Sequence, residues 1–248
     1  MIAELARTGI PYEFVEAVEG NNLDLLDPEV VDPSVLGTAW VRAGSAGVAY
    51  SHLRVYERIL ADDLEYALVL EDDVRLPADL TSQVQSVVPY LTGAEIALLN
   101  YDSPETCLLS SEGSVRLASG NKLMLPLDVD QPRSAAAYVV TRAACQRMVN
   151  HVAPYRAHPD NWGYHFQEGA LDRIRCVLPM PVSKDPKFES TIDYGSQGRA
   201  KTRMLTSARR YHLTPLLLAF EYRRKRIWEG HTRVEVVDKP FVTKPSRL

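Results

Sequence analysis

The residues best suited to chemistry are Glu71, Asp72 and Asp73, three consecutive carboxylates that end the apolar run Tyr66-Ala67-Leu68-Val69-Leu70. An ionised carboxylate loses heavily on leaving water unless it is paired or bound to a cation, so such a triplet is not a packing device. Hard oxygen ligands grouped this way suit Mg²⁺ or Mn²⁺, and those ions suit a diphosphate. A solvated acidic turn is the plain alternative. Three further stretches carry candidate side chains. Ser51 and His52 lie in a helical pattern that feeds the acidic stretch, where phosphate or sugar contact is open to them as well as an ordinary surface or interface role. His158-Pro159-Asp160-Asn161-Trp162-Gly163-Tyr164-His165 reads as a loop combining a carboxylate, imidazoles and aromatic rings, a set suited to a sugar or to a surface loop anchored by a buried Trp. Lys184 to Ile192 offers Lys, Ser and Thr to phosphate oxygens, and reads equally well as a polar connection.

These side chains need elements to hold them. Ala67 to Leu70 has the length and composition of a strand buried on both faces, as in a mostly parallel sheet. In open α/β sheets, ligands bind beyond the carboxyl ends of the strands, where the triplet falls. Ile2 to Thr8 predicts a short helix closed near Gly9, and Tyr12 to Val18 alternates like a strand that ends at Gly20-Asn21-Asn22. Residues 21–40 read as a loop with about one helical turn. A helix runs from Gly44 to about Leu60, capped by Gly44 and Ser45, with Val48, Leu53, Tyr56, Ile59 and Leu60 on its apolar face. A helix after Pro77, a strand over Ile96 to Leu99, a polar loop over 101–122, a strand over Ala135 to Thr141 and a helix over Arg142 to His151 follow. Alternating strands and helices predict a layered α/β domain.

At 248 residues and 46% hydrophobic, the chain can bury a full core, and 24% charged residues argue against wholesale disorder. Cys107, Cys145 and Cys176 are odd in number and widely spaced, which argues against a disulfide framework or zinc cluster and fits a reducing cytosol. No apolar run approaches the roughly 20 residues that span a bilayer, and the first residues lack a signal-peptide pattern. The net charge of −4 hides an asymmetry: residues 199–248 hold 13 Lys/Arg against 4 Asp/Glu, and residues 1–198 hold 15 against 28. The division implied is a domain over 1–198 and a basic extension over 199–248. Within that extension, Thr214 to Phe220 and then Glu221 to Trp228 set apolar and aromatic residues beside a basic cluster. That pairing suits an anionic membrane surface or a helix packed on the domain. No nucleic-acid-binding motif accompanies the charge, so no nucleic-acid partner is expected.

Four blocks in order resemble glycosyltransferase family 25, the bacterial lipopolysaccharide and lipooligosaccharide glycosyltransferases. They are Gly9 to Gly20; Gly44 to Leu53, with Val48 where the family usually has Cys; Leu68 to Val74; and Ala137 to Ala144 with Asp160 downstream. The second and third in tandem are the most specific, and the resemblance covers roughly residues 9–195. It implies a GT-A-like single α/β domain that takes a nucleotide-sugar donor and Mn²⁺ or Mg²⁺, and an inverting transfer of galactose from UDP-galactose to a saccharide or glycolipid acceptor. On this reading Asp73, with Glu71, holds the metal. Gly47, Ser51, His52, Glu71 and Asp72 meet the donor, and Trp162 and Tyr164 stack on the acceptor. Inversion needs a base for the acceptor hydroxyl; Asp160 is the first choice, with Glu168 and Asp172 behind it. His165 and His212 are available as a further metal partner. The site would work in the cytoplasm, with the basic extension at the inner membrane.

Family members begin with a strand and an Arg-rich helix ahead of the Gly9 block, so the resemblance implies a sheet without that strand at its nucleotide edge. Two other readings follow: a homologue that keeps the fold as a binding protein, and an unrelated Mg²⁺-dependent phosphoryl- or nucleotidyl-transfer enzyme using the same acids.

Overall fold

The computed structural model describes residues 1–103, 106–185 and 233–241. Helix α1 (Ile2–Thr8) ends at Gly9, whose φ of 67° is the left-handed closure expected there. Tyr12 to Val18 is not a strand. It joins no ladder among the described residues; side chains of the next helix hold it instead, with Ser51 Oγ accepting from Val18 N–H at 2.9 Å and Arg54 donating to the Glu16 carbonyl.

That helix, α2 (Ala43–Ala61), starts one residue earlier than Gly44, and Arg42 occupies its cap position without a capping bond. The face it buries carries Ser45, Ala46, Ala49, His52, Leu53, Tyr56 and Ile59. Spacing of three and four residues puts these side chains in one stripe. The chain then turns into β1 (Tyr66–Leu70), β2 (Val74–Arg75), α3 (Leu80–Val87) and β3 (Glu95–Leu98). The expected loop over 101–122 instead contains β4 (Cys107–Arg116), which pairs with β5 (Lys122–Pro126) across an irregularity between Ser110 and Val115. Strand β6 (Ala137–Thr141), helices α4 (Arg142–Val152) and α5 (Trp162–Gln167), and strands β7 (Arg173–Leu178), β8 (Ser183–Lys184) and β9 (Val234–Val237) complete the order. Helix α5 occupies the second half of what reads as a loop in sequence.

The helix-flanked sheet of an α/β domain is present, ordered β1-β6-β3-β7-β5-β4-β9. Its strand directions are mixed. Ladders β3/β7 and β4/β9 are parallel, whereas β1/β6, β3/β6, β4/β5 and β5/β7 are antiparallel. Burial follows position in that order. Strands β3 and β6 are buried throughout, whereas β1 lies at an edge and buries only Val69 fully, so it is not the two-sided core strand its composition predicts. Strand β9 brings part of the basic extension into the sheet beside β4. The segment 214–228 and His212 lie outside the described residues. All three cysteines are buried and free.

Register places the acidic triplet. Leu70 pairs with Ala137, the first residue of β6, and Leu98 pairs with Tyr138, so the carboxyl ends of β1 and β3 meet the start of β6 at one end of the sheet. The amino ends of β3 and β7, with Gly93, Asp172 and Thr141, form the opposite end.

Candidate active site

Glu71 leaves β1 with its N–H bonded to the Ala136 carbonyl at 2.9 Å. The receiving segment is itself pinned. Ser134 holds φ of 88°, a strained value for a residue with a Cβ. Its hydroxyl donates to Asn100 Oδ1 and accepts from Ala136 N–H, and its carbonyl accepts from Trp162 Nε1. The Glu71 side chain points toward His52, whose Nε2 is 3.9 Å from Oε1. Burial opposes ionisation of Glu71, but the His52 imidazole and the Lys184 ammonium outweigh it, and its carboxyl stays below the usual range.

Asp73 behaves in the opposite way. Burial, then the Glu71 and Asp72 charges, push its carboxyl up against a partial offset from Lys184. Its Oδ1 is buried without a hydrogen-bond partner, while its carbonyl accepts from Asp185 N–H at 2.7 Å. Buried polar atoms are normally bonded, so one that is not marks a place where something else can bind. The short pairing of β2 with β8 sets Val74 opposite Lys184 and so brings that lysine to the acids, with Nζ 4.0 Å from Asp102 Oδ2. Asp72 is exposed beside them. Carboxylate oxygens are the ligand type a hard divalent cation takes, and here the Asp72 carboxylate is exposed while the orphaned Asp73 oxygen is buried. Among the described residues no ready-made group of three or more metal-ligating side chains converges.

Gly47 and Ser51 have another task. A Cβ on Gly47 would lie 2.9 Å from Gly20 Cα, Gly20 N and the Val18 carbonyl. The Ser51 hydroxyl bridges Val18 N–H and the Gly47 carbonyl. In the structure they seat residues 18–20 against α2. Gly47→Ala should destabilise the protein by about 1–3 kcal/mol through this overpacking, seen as a lower melting temperature, and an unchanged melt would refute the packing role. His52, in contrast, is both buried and near Glu71.

Trp162 faces the core. It is fully buried, with its ring edge-to-face on Tyr138 at 5.1 Å and its N–H spent on Ser134, so no face is open for an acceptor sugar. Tyr164 is half-buried and lies near His151. Asp160 is half-buried near Tyr155, whose hydroxyl donates to the Trp40 carbonyl and bonds Ser45. Because α2 runs back along β1, its first residues fall at the same end of the sheet as the triplet, and Asp160 falls there with them. Its neighbour Asn161 is held by Arg133 at 2.5 Å. Asp172 lies at the opposite end, held by Arg147 at 2.7 Å and Ala94 N–H at 2.9 Å, with its carboxyl below the usual range. It cannot serve the same site as the triplet. Glu168 is exposed at the end of α5, with His151 and Tyr164.

His165 is 2% exposed, and neither ring nitrogen has a hydrogen-bond partner among the described residues. Burial first, then His151, push it down to about 3, although the His158 and Pro159 carbonyls favour a proton slightly. Its folded value lies below its unfolded value near 6.5. The stability it confers is therefore present above about pH 6.5 and lost as pH falls toward about 3, because only the unfolded chain binds the proton. His165→Leu should flatten that acid loss in urea midpoints measured between pH 7 and 4.5; an unaltered slope would exclude the assignment.

Tyr138, Ser134 and Tyr56 support the site but go unnoticed as site residues in the sequence. Tyr138 carries the one available signal, as the aromatic residue of the fourth family-like block, whereas Ser134 and Tyr56 carry none.

A helix-flanked α/β sheet with this acidic rim at its strand ends is a GT-A-like domain. The family model for glycosyltransferase family 25, lipopolysaccharide biosynthesis proteins, matches residues 1–162, and the chain belongs to that family. It is thus a glycosyltransferase, of a family that moves a sugar from a nucleotide-sugar donor to a saccharide acceptor and releases the nucleotide. No curated protein is similar enough to match the sequence. No helix among the described residues is long and apolar enough to cross a membrane.

Proposed function

We propose that this chain transfers a hexose, galactose in the first instance, from a UDP-sugar to a saccharide acceptor of lipopolysaccharide or a related glycan, with inversion and with Mn²⁺ or Mg²⁺. The observation that carries the reading is the partnerless, buried Asp73 Oδ1 beside Glu71 and Lys184 in a family 25 chain. Asp73 and Glu71 would hold the cation, which when bound offsets charge building on the departing nucleoside diphosphate. Lys184 adds a fixed positive charge at the same rim and suits a diphosphate oxygen. Asp72, which is exposed, would meet the donor sugar or its water. Asp160 accepts the proton of the attacking acceptor hydroxyl, on the face opposite the leaving group. Tyr164 remains a candidate acceptor contact, and the basic extension suits a lipid-linked acceptor at the cytoplasmic face of the inner membrane.

Calorimetry with UDP-galactose and Mn²⁺ should give saturable binding, and ATP with Mg²⁺ should give none. Absence of UDP-sugar binding would overturn the proposal, and preference for ATP would favour phosphoryl or nucleotidyl transfer.

A further inference from the structure

Behind Glu71 lies a chain of hydroxyls buried in the core. His52 Nδ1 is 2.8 Å from the Tyr138 hydroxyl, which is 3.0 Å from the Tyr56 hydroxyl. All three side chains are buried, and the His52 and Tyr138 rings stack with centroids 5.9 Å apart. We infer that Tyr56 and Tyr138 are positioning residues that lock His52 in its Nε2–H tautomer, so that an N–H and not a lone pair faces Glu71.

Hydrogen counting makes the choice. Each tyrosine has one hydroxyl hydrogen and a neutral imidazole has one N–H. If Tyr56 donates to Tyr138 and Tyr138 donates to Nδ1, the imidazole hydrogen sits on Nε2 and faces the Glu71 carboxylate 3.9 Å away. Every hydrogen then meets an acceptor or an anion. In the reverse direction Nδ1–H donates to Tyr138 and Tyr138 to Tyr56. The Tyr56 hydrogen then has no acceptor among the described residues, and the Nε2 lone pair opposes a carboxylate. Burial raises both tyrosine pKa values, so neither gives up its hydrogen near neutral pH. At 3.9 Å the His52–Glu71 contact is electrostatic orientation and not a hydrogen bond. It complements the backbone tether at Ala136, so that Glu71 is held at both its main chain and its side chain. That this orientation serves metal and donor binding rests on the function proposed above; the tautomer does not.

The test is nitrogen NMR of the intact, metal-free protein labelled with ¹⁵N-histidine, with His52 assigned by its loss in His52→Gln. The wild type should show the Nε2–H pattern of two-bond couplings. Tyr138→Phe should lose it for a mixture of tautomers, and its Mn²⁺ affinity should fall about 10- to 100-fold, the usual effect of losing a residue that orients a ligand. A wild-type Nδ1–H pattern, or an unchanged tautomer in folded Tyr138→Phe, would overturn the inference. The wild-type spectrum needs no variant, so the inference is open to refutation even if Tyr138→Phe does not fold. Lack of Mn²⁺ binding by the wild type would count against the proposed function and leave the tautomer result standing.

Discussion

Asp73→Asn should abolish Mn²⁺-dependent binding of a UDP-sugar and, at the same time, raise the melting temperature of the metal-free protein at neutral pH. The two effects have one cause. Asp73 holds a carboxylate where burial and the Glu71 and Asp72 charges disfavour it, with Oδ1 left unbonded. Its folded pKa therefore lies above its unfolded one. The cost of ionising it is absent at acid pH, appears as pH rises through that interval and is complete at neutral pH. A neutral amide removes the cost. It also removes the anionic oxygen, and the loss of cation affinity should exceed the roughly 10- to 100-fold typical of residues that merely orient a ligand. Calorimetry with UDP-galactose and Mn²⁺, beside thermal melts in chelator, reads both. A variant that still binds donor in a Mn²⁺-dependent way would remove Asp73 from the metal site, and a lowered melting temperature would remove the electrostatic account.

Asp160→Asn should leave donor binding within about twofold and cut transfer by about 10²- to 10⁴-fold, the range for loss of a general base. Substitution of the carboxylate by an amide keeps shape and removes proton acceptance. The case rests on placement. Asp160 is at the triplet end of the sheet, half-buried, with Tyr155 as a neighbour, and among the described residues no cation pairs with it. Asp172, the alternative most like it chemically, is tied to Arg147 at the far end. Near-normal turnover by Asp160→Asn would show that another group takes the proton, and Glu168 would be examined next.

Local pattern made several elements legible. Helices α1, α2 and α4 and strands β1, β3 and β6 fall close to where apolar periodicity puts them, because each carries its own signal within a few residues. Strand β4 does not. Its sequence, with Ser110, Ser111, Glu112, Gly113 and Ser114, looks like a loop, and it is a strand because β5 and β9 supply its hydrogen bonds from elsewhere in the chain. Tyr12 to Val18 shows the converse: it alternates like a strand but joins no ladder among the described residues.

The acidic triplet was legible from residue types alone, because three consecutive carboxylates after an apolar run stand out in the sequence. The Ser51-His52 pair was readable only as a pair. Folding separated the two, giving Ser51 to the backbone at Val18 and His52 to Tyr138 and Glu71, since successive residues on a helix face different directions. The same holds for Trp162 and Asp160, two positions apart, one sealed in the core and the other at the rim. The family-like blocks, the main helices and the acidic triplet were all present in the sequence before any fold was known. Only tertiary structure decided which of the three acids has an orphaned oxygen, that Lys184 stands beside them, and that Asp172 is at the wrong end of the sheet. Those outcomes depend on register and burial, which arise between segments distant in the chain.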